Sequence, residues 1–426
     1  MAHDVRDRLR EIRRAVHRRP EPGWCEFQTT ARIVDELDAI DVDEIAVGCE
    51  ALASDSRMAV PEPEEIAPWL ERARAAGVRE DILNRTANGH TGVVAVVEQG
   101  KGPTVGLRVD LDATAMREAT ATDHRPKAEG FHSIHDGYMH ACGHDGHIAI
   151  GLGTIEAIKQ SDFSGTLKVF FQPAEEISGG GKAMAEGGYL DDVDYLFALH
   201  LGLEHSTGEI VAGVEKPLAM AHMTATFEGA SAHAGRAPNE GKNAMQAVAT
   251  AIQNAYAIPR HTDGKTRINI GRIEGGTASN VIAEEITIEA EVRGETTGLM
   301  EYMRTELERV FYSAAEMHDC DVTPRVISES LRADSDPELR EIVTDVANKT
   351  DNISHVVEKT SLGVSEDVTY LMDHVQRNGG LASYLLVGTD YPTKHHTPTF
   401  DIDESSLDIG VSIVSDSIVE CSRLNP

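Results

Sequence analysis

Leu167-Lys168-Val169-Phe170-Phe171-Gln172-Pro173-Ala174-Glu175-Glu176 is the stretch that decides how this chain folds. A short, mostly apolar run ended by a proline reads as a buried strand, and two adjacent carboxylates stand just beyond its end. Residues 91–97, 104–109 and 195–199 read the same way, with helical patterns between several of the runs. Alternation of this kind predicts an α/β layer with a mixed, largely parallel sheet between helices. Chemistry in such sheets gathers at strand ends. Asp110 and Asp112 follow the 104–109 run and His200 follows the 195–199 run, as Glu175 and Glu176 follow theirs.

Ahead of that strand lies His140-Ala141-Cys142-Gly143-His144-Asp145-Gly146-His147. A lone cysteine is more often packed in a core than bound to an ion. Three imidazoles and a thiol within eight residues are another matter, because such groups are costly to bury unless their lone pairs are used. Catalytic metal sites draw ligands from several loops, keep one coordination position open and place a base nearby. Cys142 and His144 supply ligands from one loop, Glu176 and His200 from two strand ends, and His396 from the distant His395-His396-Thr397-Pro398. Thiolate, imidazole and carboxylate together suit Mn or Zn, with Co or Ni as further choices, better than Mg or Ca. Glu175 is then the natural general base, and later the acid that protonates a leaving amine.

At 426 residues the chain is long for one core, so two domains are expected. Its 71 acidic against 39 basic residues, a formal net charge of −32, argue against nucleic acid or an anionic membrane as partner. The acids are scattered along the chain, which favours a surface adapted to a high-salt cytosol over a device for a cationic partner. Five widely spaced cysteines form no disulfide framework and point to a reducing, cytoplasmic setting. No apolar run approaches the roughly twenty residues of a membrane span. The Arg-rich start has no apolar core of a signal peptide, and Val5, Leu9, Ile12 and Val16 fall at helical spacing.

Residues 50–88, with Pro61-Glu62-Pro63 and then Trp69, Leu70, Ala73 and Ala76, read as a helical insertion between two strands. From about residue 217 the pattern changes to strand (223–227), helix (242–256), strand (267–273), strand (285–292), helix (299–318) and strand (322–327). That order is a ferredoxin-like βαββαβ unit. The expected division is 1–216 as the first part of a catalytic domain, 217–328 as an inserted domain, and 329–426 as the second part. In that last part 337–349 reads as helix, 382–387 as strand and 404 onward as a closing helix.

Met139-His140-Ala141-Cys142-Gly143-His144-Asp145, Gln172-Pro173-Ala174-Glu175-Glu176, Ser231-Ala232-His233-Ala234-Gly235, Ser279-Asn280-Val281-Ile282 and Ser365-Glu366-Asp367 together give a specific resemblance. The chain resembles the di-metal amidohydrolases that include aminoacylases, auxin-conjugate hydrolases and glutamate carboxypeptidases, from its first helix to about residue 404. Within them it is most similar to the aminobenzoyl-glutamate hydrolase branch. The resemblance implies two divalent ions per protomer on Cys142, His144, Glu176, His200 and His396, with Glu175 acting on a bridging water. It implies that the inserted domain is a lid that dimerises, that His233 reaches a neighbouring active site to polarise the scissile carbonyl, and that Asn280 assists there.

Arg293 falls where glutamate-releasing relatives place an arginine for the substrate carboxylate, and a guanidinium fork suits that contact; an exposed strand end is the competing reading. Asp110 and Asp112 are implied as carboxylates that orient ligands, as are Glu366 and Asp367, for which a solvated helix start competes. Thr114-Ala115-Met116 replaces an expected Leu-Pro, Ala283 an expected proline, and Val368 an aromatic or small residue. These departures bear on pocket shape and leave every ligand in place.

The expected activity is metal-dependent hydrolysis of an aroyl- or acyl-amino acid amide, p-aminobenzoyl-glutamate foremost. N-acyl amino acid or dipeptide hydrolysis is the alternative within the same chemistry. A non-catalytic partner within a heteromeric hydrolase is the alternative in another class. A small-molecule substrate and a homodimer are expected, with a heteromer of related chains as the other assembly.

Overall fold

The strand Gly165–Gln172 lies parallel to Thr104–Asp110, with Leu167 opposite Val105 and Gln172 opposite Asp110. The two strands therefore end side by side. In the computed structural model, which describes residues 3–363, 365–390 and 394–424, these strands sit centrally in an eight-stranded sheet. Tyr195–Leu201 and then Leu381–Val387 extend it in parallel on one side. Val93–Gln99 and Glu44–Val47 extend it antiparallel on the other. Glu209–Val211 and His355–Val357 complete the far edge. The sheet is mixed with a parallel centre, as the alternation of strand and helix patterns predicts.

Side chains alternate across a strand. Val105, Leu107 and Val109, with Leu167, Val169 and Phe171, enter one continuous core with Leu9, Ile12 and Val16 of the helix His3–His17. Ile148, Ile150 and Leu152 of the helix His144–Lys159 join them, as do Val411, Val414 and Ile418 of Ser405–Arg423. Between these core positions, Arg108 and Lys168 point to the opposite face. Helix His144–Lys159 has no polar stripe to reveal it in the sequence. It is buried along most of its length, and Gly151 meets Val109 and Phe171 where a larger side chain would crowd the sheet.

The helices Pro63–Ala75 and Glu80–Arg85 lie between the strands Glu44–Val47 and Val93–Gln99. Pro63–Ala75 begins with a capping box: Glu62 and Glu65 each bond the other's backbone N–H across the first turn. The start of this insertion also ties into the body, because Ala53 donates its N–H to the carbonyl of Ala183.

The chain divides into two units, one comprising Met1–Glu215, Ala333–Leu362 and Asp367–Pro426, the other Lys216–Arg332 with Gly363–Glu366. The short 363–366 segment thus groups with the second unit, although its sequence neighbours belong to the first. In the second unit the strands Asp321–Ser330, Ala219–Glu228, Glu285–Gly294 and Thr266–Gly275 form, in that order, an antiparallel sheet. Ala221, Met223, Ala225 and Phe227 alternate inward and meet Ile286, Ile288 and Val292. Val248 and Ala251 of the helix Ala244–Ala255, and Met303, Leu307 and Phe311 of Thr297–Met317, pack on the same face. The strands begin up to four residues before, and end up to three residues after, the spans the sequence pattern suggests. No helix of the described residues is long and apolar enough to cross a membrane.

Candidate metal centre

The carboxyl ends of the parallel strands create the candidate site. Asp110 and Gln172 are the last residues of their strands, and His200 is the penultimate residue of Tyr195–Leu201. Gly143, in the left-handed region at φ 94°, turns the chain from Cys142 into the helix that His144 starts. A side chain at that backbone angle would be strained, so the loop depends on glycine.

Cys142, His144 and His200 bring one ligand atom each to within 4.8 Å of one another, and all three are buried. Cys142, Glu176 and His396 form a second such group, and His144, Glu175 and Glu176 a third. Cys142 Sγ stands 3.3 Å from His200 Nε2, and His396 Nε2 stands 3.3 Å from Glu176 Oε2. His144 Nε2 lies 3.7 Å from Glu175 Oε2. Bonds of about 2.0–2.3 Å to a shared ion span such separations.

The imidazole tautomers suit ligation. His200 Nδ1 donates to the carbonyl of Leu201 at 2.7 Å, which turns the Nε2 lone pair toward Cys142. His144 Nδ1 donates to the carbonyl of Asp112 at 2.9 Å, and its buried Nε2 has no hydrogen-bond partner among the described residues. A buried lone pair with nothing to accept is costly, and a cation is the partner it fits. His147, from the same motif, behaves differently. Its Nε2 accepts the Leu201 N–H at 2.9 Å, so Nδ1 carries the proton and donates a hydrogen bond to Asp110. Both of its nitrogens are spent.

Asp112 gathers the site from beneath. Its two carboxylate oxygens accept the backbone N–H groups of Glu175 and Glu176 at 3.1 and 3.0 Å, and Oδ1 stands 3.3 Å from His144 Nδ1. Asp110 accepts from Arg108 at 2.8 Å and from His147. Asp367 accepts from Gln172 at 2.7 Å and from the Gly181 N–H at 2.8 Å. Gly180 makes that turn possible, since a Cβ there would lie 1.8 Å from the Pro173 carbonyl.

Electrostatics follow the same map. Burial pushes the Glu176 carboxyl upward, but His396, His144 and the Thr114 hydroxyl outweigh it and hold the group below its ordinary range. Burial, helped by His147 and His395, drives His200 well down, so its ring is neutral and available as a ligand. His396, bonded to Cys142 and Glu176, is raised to about 10.

His233, Asn280 and Arg293 belong to the second unit. His233 is exposed and pairs through its backbone with Val281, while Ala234 donates to the carbonyl of Asn280 at 3.0 Å. These two motifs are neighbours within that unit. Arg293 lies on the sheet face opposite the helices, and its Nε donates to Glu291 at 2.5 Å. Glu366 is also assigned to this unit.

Sequence reasoning missed several supporting residues. Glu26 is fully buried and accepts the Ala174 N–H at 2.8 Å and the Thr91 hydroxyl at 2.5 Å. Ala174 has φ 56°, a strained angle for a residue with a Cβ, so Glu26 holds the turn that presents Glu175. Arg13 pairs with Asp145 at 2.7 Å and Asp401 at 2.6 Å, all in the interior. A signal for these existed: Arg13 and His17 continue the i, i+4 row that Leu9 begins on an apolar helix face.

Residues 106–420 match the model of Peptidase family M20/M25/M40. The chain is 37% identical over 411 residues to indole-3-acetyl-aspartic acid hydrolase of Enterobacter agglomerans, covering 96% of this chain and 94% of that protein. It is 35% identical over 412 residues to a p-aminobenzoyl-glutamate hydrolase subunit of Escherichia coli K12, with coverage of 96% and 94%. The crystal structure of an aminobenzoyl-glutamate utilization protein from Klebsiella pneumoniae superposes with a TM-score of 0.84 at 31% identity, over 98% of this chain and 96% of that one. The fold extends to the YXEP protein of Bacillus subtilis, described as a dinuclear metal-binding peptidase, at a TM-score of 0.69 and 21% identity over 99% of both chains.

Proposed function

Because this chain belongs to peptidase family M20/M25/M40, and hydrolases of indole-3-acetyl-aspartic acid and p-aminobenzoyl-glutamate are among the proteins similar to it, we propose that it is a metal-dependent amidohydrolase releasing an amino acid from an aroyl or acyl amide, with p-aminobenzoyl-glutamate as favoured substrate. The convergence of Cys142, His144, Glu176, His200 and His396 beside Glu175 carries the reading. Those five residues would hold two divalent ions, Mn or Zn foremost. When bound, the ions supply Lewis acidity toward the scissile carbonyl and toward the attacking water.

Glu175 takes the proton of the attacking water. The same carboxyl returns it to the amide nitrogen as the C–N bond breaks, so atoms and protons balance and the amine leaves neutral. The grip of Asp112 on the Glu175 N–H and of Glu26 on the Ala174 N–H supports this role, since a base must be aimed as well as basic. His233 reaches a neighbouring active site and meets the charge that develops on the carbonyl oxygen there, with Asn280 assisting. Arg293 binds the carboxylate of the leaving amino acid, exchanging Glu291 for substrate. Asp112 orients the ligand imidazole of His144, and Asp110 acts one step further out, through the His147 ring.

The inserted unit serves as lid and dimerisation domain, and the protein works in the cytoplasm as a homodimer. The word "subunit" in the E. coli relative's name supports a second assembly, with a related chain.

The deciding experiment measures p-aminobenzoate and glutamate release by the purified chain in high salt, with Mn or Zn and after chelation. Metal-dependent release, lost in Glu175→Ala, is the expected result. Release from indole-3-acetyl-aspartate or N-acyl amino acids in its place would keep the chemistry and change the substrate. No release from any amide by a folded, metal-loaded chain would reject a self-sufficient hydrolase.

A further inference from the structure

We propose that Thr114 is a positioning residue that orients the Glu176 carboxylate for its metal ion, an inference that rests on the metal reading above. The Thr114 hydroxyl lies 2.8 Å from Glu176 Oε1. An ionised carboxylate only accepts, so the hydroxyl donates its O–H to Oε1 in a hydrogen bond. The other oxygen, Oε2, faces His396 Nε2 at 3.3 Å in the group that also contains Cys142. One oxygen is therefore engaged by protein, and Glu176 presents Oε2 as its ligand atom.

The hydroxyl is itself held still. Thr114 N–H donates to the Met139 carbonyl at 3.0 Å and the Met139 N–H donates back at 3.1 Å, an isolated antiparallel bridge. Met139 stands three residues before Cys142, and its carbonyl also accepts the Ala141 N–H at 3.1 Å. Two residues before Thr114, Asp112 accepts the backbone N–H of Glu176 at 3.0 Å. Glu176 is thus gripped by main chain and by side chain from one short loop, and the same loop is stapled to the segment that delivers Cys142. Three ligand-bearing or ligand-orienting segments meet at Thr114.

The residue belongs to this chain's own departure, Thr114-Ala115-Met116, from the Leu-Pro expected there. Leucine has no donor to offer. The Thr114 hydroxyl adds a hydrogen bond to a ligand, and partners of that kind commonly set metal affinity as well as geometry.

The test compares apo wild type, Thr114→Val, Thr114→Ser and Glu176→Ala by Zn titration against a chromogenic chelator and by the absorption spectrum of the Co-loaded protein. Valine keeps the shape and removes the donor, while serine keeps the donor. Thr114→Val is expected to weaken the site formed by Cys142, Glu176 and His396 by about 10- to 100-fold and to shift the Co spectrum. Thr114→Ser is expected to restore both. Wild-type affinity and an unchanged spectrum in Thr114→Val would overturn the inference while leaving the metal site standing. Wild type and Glu176→Ala binding Zn alike would overturn the ligand assignment of Glu176, and this inference with it. If circular dichroism shows Thr114→Val unfolded, Thr114→Ala undergoes the same titration with the same expected loss.

Discussion

His17 Nδ1 stands 2.8 Å from Asp145 Oδ2, joining the first helix to the residue next to His144 across 128 positions of sequence. Both side chains are fully buried. The other ring nitrogen meets Glu118 at 3.1 Å, and the Arg13 guanidinium forms an ion pair with the same Asp145 oxygen at 2.7 Å. The metal loop is therefore braced from behind by a buried ionic cluster.

That cluster predicts a pH dependence of stability. Burial and Arg13 pull the His17 ring down, but Asp145 and Glu118 outweigh them and hold it at about 9, above its ordinary 6.5. A group raised on folding stabilises fully below its unfolded value and loses that contribution as pH rises through the folded one. The difference corresponds to roughly 3 kcal/mol. The melting temperature of the apo protein should fall between pH 6.5 and 9, and His17→Gln should flatten the slope. An equally steep slope in the variant would assign it to other groups.

Glu175→Ala should lower kcat by about 10²- to 10⁴-fold, the range for losing a general base. Zn stoichiometry should be preserved, because the ligand set does not include Glu175. Equal loss of metal and activity, read by metal analysis of the purified variant, would make Glu175 a ligand.

Metal should also stabilise the fold. An ion bound only by the native state adds about 2.7 kcal/mol at a hundred times its Kd. Thermal melts with increasing Zn should move upward in wild type and much less in Cys142→Ser, which removes the thiol ligand. Parallel shifts in the two proteins would remove Cys142 from the site.

Salt should raise stability. With a net charge of −32, self-repulsion in the compact state is strong, and the screening length falls from about 10 Å at 0.1 M to 3 Å at 1 M salt. The melting temperature is expected to climb from 0.1 to about 2 M KCl. A flat or falling curve would sink the high-salt reading of the acidic surface.

Much of this molecule is written in local sequence. The central strands betray themselves as short apolar runs, and the second unit's strands as period-two alternation, because burial of one or both sheet faces imposes those patterns. Cys142, His144 and the Glu175–Glu176 pair stand out because ligand chemistry concentrates in a few residues of adjoining loops. Strands of three residues, such as Glu209–Val211 and His355–Val357, leave too little pattern to read. Helix His144–Lys159 is hidden for the opposite reason, since burial on all sides erases the stripe that marks a surface helix.

Sequence alone determined the layer type, the strand ends that carry chemistry, and the candidate ligands. Tertiary structure decided which polar groups complete the site. His147 shares a motif with His144, yet the Leu201 N–H takes its lone pair while His144 Nε2 stays buried with no hydrogen-bond partner among the described residues. Glu26, His17, Arg13 and Thr114 lie far along the chain from the residues they hold, or reach them through a bridge such as that to Met139. A hydrogen bond depends on a few tenths of an ångström and on which lone pair is left over, and only the folded chain sets either one.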